Sequence, residues 1–129
     1  MKIDRRAFTE ILAAAGVLAI TPAMAQAKSI PVTIKNAPMG SFDPPSVKIN
    51  VGDTVEWTNP ETITHTVTFD PAQAITAADV VLPAGAMPFD SGDLEQDGTF
   101  KHTFTVKGTY KYVCKYHEDM GMVGTVIVS

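Results

Sequence analysis

The chain carries one cysteine, Cys114, with His117 three positions on and Met120 and Met122 close behind. A thiolate, an imidazole and a thioether on one short loop are soft and borderline donors. Sulfur holds Cu(I) and imidazole serves both oxidation states, so the set suits copper. Zinc fits less well, because thioether is a poor zinc ligand. The loop itself lacks a second imidazole. The other histidines are His65 and His102, and one of them must complete the set.

The elements that would position these residues read as short strands. Ser29 to Lys35 is a first strand, followed by a proline-rich connection from Asn36 to Pro45. Val47, Ile49 and Val51 alternate with polar residues, Gly52-Asp53 turns the chain, and Val55 and Trp57 continue an inward face. Thr64 to Asp70 alternates again, which places His65 with Val67 and Phe69 on the apolar side. Phe100 to Val106 and Thr109 to Cys114 form a pair, and Val123 to Val128 closes the chain. Short alternating strands at this spacing predict an all-β sandwich. Residues 71–90 interrupt the pattern. They predict a short helix over Ala72 to Val81, or a loop insertion crossing the edge of the sandwich.

Side-chain parity adds detail. Cys114 shares a face with Tyr110 and Tyr112. A three-residue hairpin loop, Lys107 to Thr109 with Gly108 in the left-handed region, would set Phe104 opposite Tyr112 and Val106 opposite Tyr110. That register would also put His102 across from Cys114, a rival to His65 as ligand.

The N-terminus is built for export. Arg5-Arg6 precedes an apolar run from Ile11 to Ile20, and Ala23-Met24-Ala25 is a small-x-small cleavage site. The arginine pair followed by Ala7-Phe8 resembles a twin-arginine signal. Residues 1–25 are therefore expected to be removed, leaving 26–129 as a single domain in a periplasmic space. No later apolar run is long enough for membrane insertion of the mature chain. The formal net charge of −4 and the lack of a basic stripe argue against nucleic acid as a partner. A lone thiol cannot form an internal disulfide, and metal binding would hold it as thiolate.

The ordered set His65, then Tyr110-x-Tyr112-x-Cys114-x-x-His117, then Gly121-Met122-Val123-Gly124-x-Val126 resembles the type I blue-copper proteins. It is most similar to the plastocyanin, pseudoazurin and amicyanin branch of the cupredoxins. Val51-Gly52-Asp53-Thr54-Val55-x-Trp57 and Phe89-Asp90-Ser91-Gly92 carry the same resemblance, which covers nearly the whole mature chain. It implies a Greek-key β-sandwich with one copper at one end. The metal ligands would be His65, Cys114 and His117, with a long axial bond from Met122. Amicyanin spacing would select Met120 instead.

The implied function is one-electron transfer between a redox-protein donor and acceptor, met transiently by a monomer through the edge of His117. Copper carriage or storage is the alternative. Enzyme classes fit poorly. A multicopper oxidase needs histidines flanking the cysteine, where this chain has Val113 and Lys115. A binuclear purple site needs two cysteines, and a hydrolase needs a base arrangement that is absent. Two positions depart from the branch. Thr66 stands where many relatives have asparagine, and Tyr116 where plastocyanin-like loops usually have proline. Glu118 and Asp119 read as solvated loop charges.

Overall fold

In the computed structural model, residues 26–37 and 39–129 are described. The export signal expected over 1–25 lies outside them. The described strands are β1 (Ser29–Lys35), β2 (Ser41–Asp43), β3 (Ser46–Ile49), β4 (Thr54–Asn59), β5 (Gly98–Thr103), β6 (Gly108–Val113) and β7 (Val123–Val128). They form two sheets, ordered β2-β1-β4-β5 and β3-β7-β6. The sandwich expected from the alternation is what forms. β1 pairs parallel to β4 and β3 parallel to β7, with the remaining neighbours antiparallel.

Alternating apolar residues from both inner faces make the core. Val32 and Ile34 of β1, Val55 and Trp57 of β4, Tyr110 and Tyr112 of β6, and Val126 and Val128 of β7 are all buried. One polar bond stitches the two sheets at the centre. Trp57 Nε1 donates to Tyr112 Oη at 3.0 Å, so each buried polar tip satisfies the other. Gly124 leaves room for this ring, because a Cβ there would lie 2.3 Å from Tyr112 Cζ.

Three sequence expectations fail, each for a physical reason. The helix over Ala72 to Val81 does not form. The segment makes two 3-10 turns, Pro71–Gln73 and Ala77–Asp79, the first opened by Asp70 accepting from the Ala72 amide. The edge-crossing insertion does form: Val81 exchanges both backbone hydrogen bonds with Lys111 along the free side of β6.

The hairpin between Phe100 and Cys114 is the second failure. β5 pairs with β4 and β6 with β7, so the two strands lie in opposite sheets and Phe104 does not face Tyr112 in a ladder. Gly108 takes a positive φ of 138°, but as a crossing residue packed against Pro83 and outside the left-handed helical region. The same error joined Val47–Val51 to Val55–Trp57 as one inward face. β3 and β4 also belong to opposite sheets, and Val51 is exposed. Alternation reads the same on two sheets as on one.

Third, Thr64 to Asp70 is no regular strand. Residues 65–69 are all buried, and they make only isolated bridges, at His65 to Leu94 and at Thr68 to Asp90 and Val113. The segment is covered on both faces, so its polar residues, Thr66 and Thr68, find partners inside. β2 went unread within the proline-rich connection. It pairs with β1, Phe42 opposite Ile34.

Candidate metal centre

β4 ends in Asn59, which is buried and does the work of a turn. Its Nδ2 donates to the carbonyls of Ile63 (2.9 Å) and Leu94 (2.8 Å), while its Oδ1 accepts from the Glu61 amide (3.0 Å). This folds residues 60–64 into a loop and delivers His65 to the end of the sandwich. There His65 and Leu94 exchange backbone hydrogen bonds. On the other sheet, β6 ends at Val113 and hands the chain to Cys114. The ligand loop then closes on itself: His117 N donates to Cys114 O, Met122 N to His117 O, and Cys114 N to Met122 O, each at 3.1 Å.

The result is a convergent donor set. His65 Nδ1 lies 3.7 Å and His117 Nδ1 3.3 Å from Cys114 Sγ. All three ligand atoms fall within 4.8 Å of one another. Donors about 2.0–2.3 Å from one ion, at trigonal or tetrahedral angles, would stand about 3.3–3.8 Å apart, a range that takes in both sulfur–nitrogen distances, so one small transition-metal ion fits between them. The rings of His65 and His117 sit with centroids 4.8 Å apart. His102 is not part of the set. It stacks on Phe89 at 3.6 Å in the other sheet, and burial lowers its pKa. Its claim rested on the hairpin that does not exist.

The two methionines separate by burial. Met122 is 0% exposed and Met120 is 51% exposed. Met122 Sδ packs against Gly40, where a Cβ would come within 2.9 Å of the sulfur, beside the His117 side chain. Met120 instead lines a surface depression of about 220 Å³ with Met39, Ile63 and His117.

Surrounding groups orient the donors. His65 Nε2 lies 3.0 Å from Asn36 Oδ1, so Nε2 carries the proton and Nδ1 presents its lone pair to the cysteine. Asn36 is held in turn, its amide donating to Glu61 Oε1 at 3.1 Å. Burial lowers the pKa of His65, and the neighbouring His117 lowers it further, against a smaller upward pull from Glu61. A neutral imidazole is the metal-binding form. The Thr66 amide donates to Cys114 Sγ at 3.4 Å. Thr66 Oγ1 accepts from the Lys115 amide at 3.0 Å, so threonine ties the cysteine loop across the site. Thr68 and Asp90 extend that link. Tyr116 donates its hydroxyl to Asp93 at 2.6 Å and anchors the loop from the outside.

Sequence reasoning missed Asn36, Asn59 and the role of Glu118. Glu118 is buried, and its carboxylate accepts from the Ile75 and Thr76 amides at 2.7 and 2.9 Å. It is not a solvated loop charge. Burial alone would raise its pKa, but those two amides and the Asp79 side chain outweigh that and lower it.

Residues 28–129 match the family model described as copper binding proteins, plastocyanin/azurin family. The chain belongs to the plastocyanin/azurin family. A chloroplast plastocyanin of Tetradesmus obliquus is 36% identical over 87 residues, which are 67% of this chain and 57% of that protein. A plastocyanin of Scenedesmus fuscus is 33% identical over 87 residues, 67% of this chain and 85% of its own. Among solved structures, an oxidised amicyanin mutant superposes with a TM-score of 0.59 at 30% identity, covering 78% of this chain and 82% of that one. As a plastocyanin/azurin family member the chain takes copper as its cofactor. Its two imidazole nitrogens and cysteine sulfur, with a buried thioether beside them, are donor chemistry that suits copper.

Proposed function

We propose that the chain is a blue-copper electron-transfer protein. In this reading His65, Cys114 and His117 are the close ligands and Met122 the weak axial one. The supporting observation is that His65 Nδ1, Cys114 Sγ and His117 Nδ1 already converge, with Met122 buried beside them. Copper bound here supplies a Cu(II)/Cu(I) couple of one electron. The protein holds the donors in one arrangement for both states, and the small rearrangement makes transfer fast.

His117 is the port. It is half-buried, and Met39, Ile63 and Met120 surround it with exposed apolar surface. Such a patch, small and apolar, docks a redox partner briefly over a limited area. The donor and acceptor are redox proteins of the same exported compartment, and the chain meets them as a monomer. Residues 1–25 are read as a twin-arginine export signal and 26–129 as the mature periplasmic domain. The family match beginning at residue 28 supports that division.

Copper-loaded protein is expected to show an intense visible band from thiolate-to-copper charge transfer, bleached and restored by one electron per chain. A colourless Cu(II) form contradicts the proposal. Rapid copper exchange with sluggish reduction would instead favour copper carriage.

A further inference from the structure

His65 and His117 are positioned by different means. His65 is fixed through its far nitrogen, which meets Asn36. A ligand histidine is generally oriented by such a partner. Among the described residues, the one hydrogen-bond contact of the His117 ring is Cys114 Sγ itself. Beyond its packing beside Gly40 and the His65 ring, its orientation depends on the backbone that carries it.

That backbone is gripped at the next residue. Glu118 opens the short 3-10 turn Glu118–Met120, for which His117 is the cap, and its carbonyl accepts from Gly121 N. Its carboxylate crosses to the insertion and takes one amide on each oxygen, Ile75 on Oε1 and Thr76 on Oε2. The insertion is fastened in turn to β6, through Val81 and Lys111. The half-exposed histidine thus stands on a turn tied to the sheet edge by one buried carboxylate. Charged acceptors make the stronger hydrogen bonds, and two from one side chain fix its direction.

We propose that Glu118 is a positioning residue for the copper site, locking residues 117–120 to the 71–81 insertion so that His117 Nδ1 stays aimed at Cys114 Sγ. This rests on the copper reading above. The insertion, which has no part in the ligand set, becomes a hydrogen-bonded support for the outer histidine.

The test compares Glu118→Ala and Glu118→Gln with a distant control, Asp53→Asn. Asp53 is also a clamp on two amides, those of Lys28 and Asn50, but it stands before β4, a strand's length from the site. Glu118→Ala and Glu118→Gln remove the same charge, so any difference between them is geometric. Glutamine keeps one acceptor.

In metal-free protein, the Ile75 and Thr76 amides should exchange with solvent about tenfold faster or more in Glu118→Ala, with added mobility across residues 117–120. In copper-loaded protein, Glu118→Ala should change the copper hyperfine splitting and lose copper to a chelator about 10-fold to 100-fold faster. Glu118→Gln should fall between it and the wild type. Asp53→Asn should lower the melting temperature and leave spectrum and release unchanged. Unaltered exchange, splitting and release in Glu118→Ala would overturn the proposal, as would equal changes in Asp53→Asn. A wild-type protein that is not blue would defeat the copper reading instead, while the metal-free exchange result still decides the clamp.

Discussion

His65 is 1% exposed and is held at both ring nitrogens, by Asn36 on one side and towards Cys114 on the other. His117 is half-buried, held towards Cys114 alone, and bordered by exposed Met39, Ile63 and Met120. The inner half of the site is thus built from buried, multiply bonded groups, and the outer half from a loop open on one side. An electron carrier needs both. In the proposed role the inner half would keep the donors still between oxidation states, and the outer half would bring one ligand within reach of a partner.

The methionines give the largest contrast short of removing a close ligand. Met122→Leu takes a sulfur from the buried side, and Met120→Leu takes one from the rim. Both swaps conserve volume and should cost less than about 1.5 kcal/mol of stability. The reduction potential and visible spectrum should shift strongly in Met122→Leu and little in Met120→Leu. Voltammetry of the two proteins checks this, and the reverse order would move the axial ligand to Met120. Met120→Leu should leave partner docking near normal, since the rim stays apolar.

Thr66→Val tests the fastening of the inner half. It removes the acceptor for the Lys115 amide and breaks the link to Thr68. Leaving such a group unpaired costs about 1–3 kcal/mol. Denaturant unfolding of the metal-free protein should show that loss, and the spectrum of the copper form should shift slightly.

The smallest effect is expected at the far end of the sandwich. Hydrogen bonds from the Asn50 and Lys28 amides lower the pKa of Asp53 against a smaller upward push from burial. A carboxyl depressed in the folded state stabilises above its unfolded pKa, near 3.9, and that stability is lost as pH falls through the folded value. Thermal unfolding from pH 7 downwards should therefore show a shallower acid loss in Asp53→Asn than in wild type. Equal slopes would remove Asp53 from the account.

Much of this was legible in the residues. β1 and β7 fall at their expected bounds, because each alternates cleanly with one face buried. The structure brings together the donor atoms of His65, Cys114 and His117, three of the residues the resemblance names, and buries the fourth, Met122. What could not be read is which sheet a strand joins. Period-two alternation reports that one face is buried and says nothing of the partner, so β5 and β6 were paired wrongly and His102 gained a false claim. Asn36, Asn59 and Glu118 were equally silent. Each acts on a residue distant in the chain, Asn36 on the His65 ring, Asn59 on the Leu94 carbonyl and Glu118 on the Ile75 and Thr76 amides, and no local pattern announces such a bond. Glu118 even misled, because an acid in a polar loop is usually solvated, and here two amides 42 and 43 residues away draw it inside.

The division between a fixed inner and an open outer histidine is tested most directly by cavity complementation. His65→Gly and His117→Gly each remove one imidazole, and copper-loaded samples of both are titrated with free imidazole while the visible band is followed. The account predicts that imidazole restores the blue band of His117→Gly through the open rim and fails to restore that of His65→Gly, whose site is enclosed. Restoration of both proteins, or of His65→Gly alone, would contradict it.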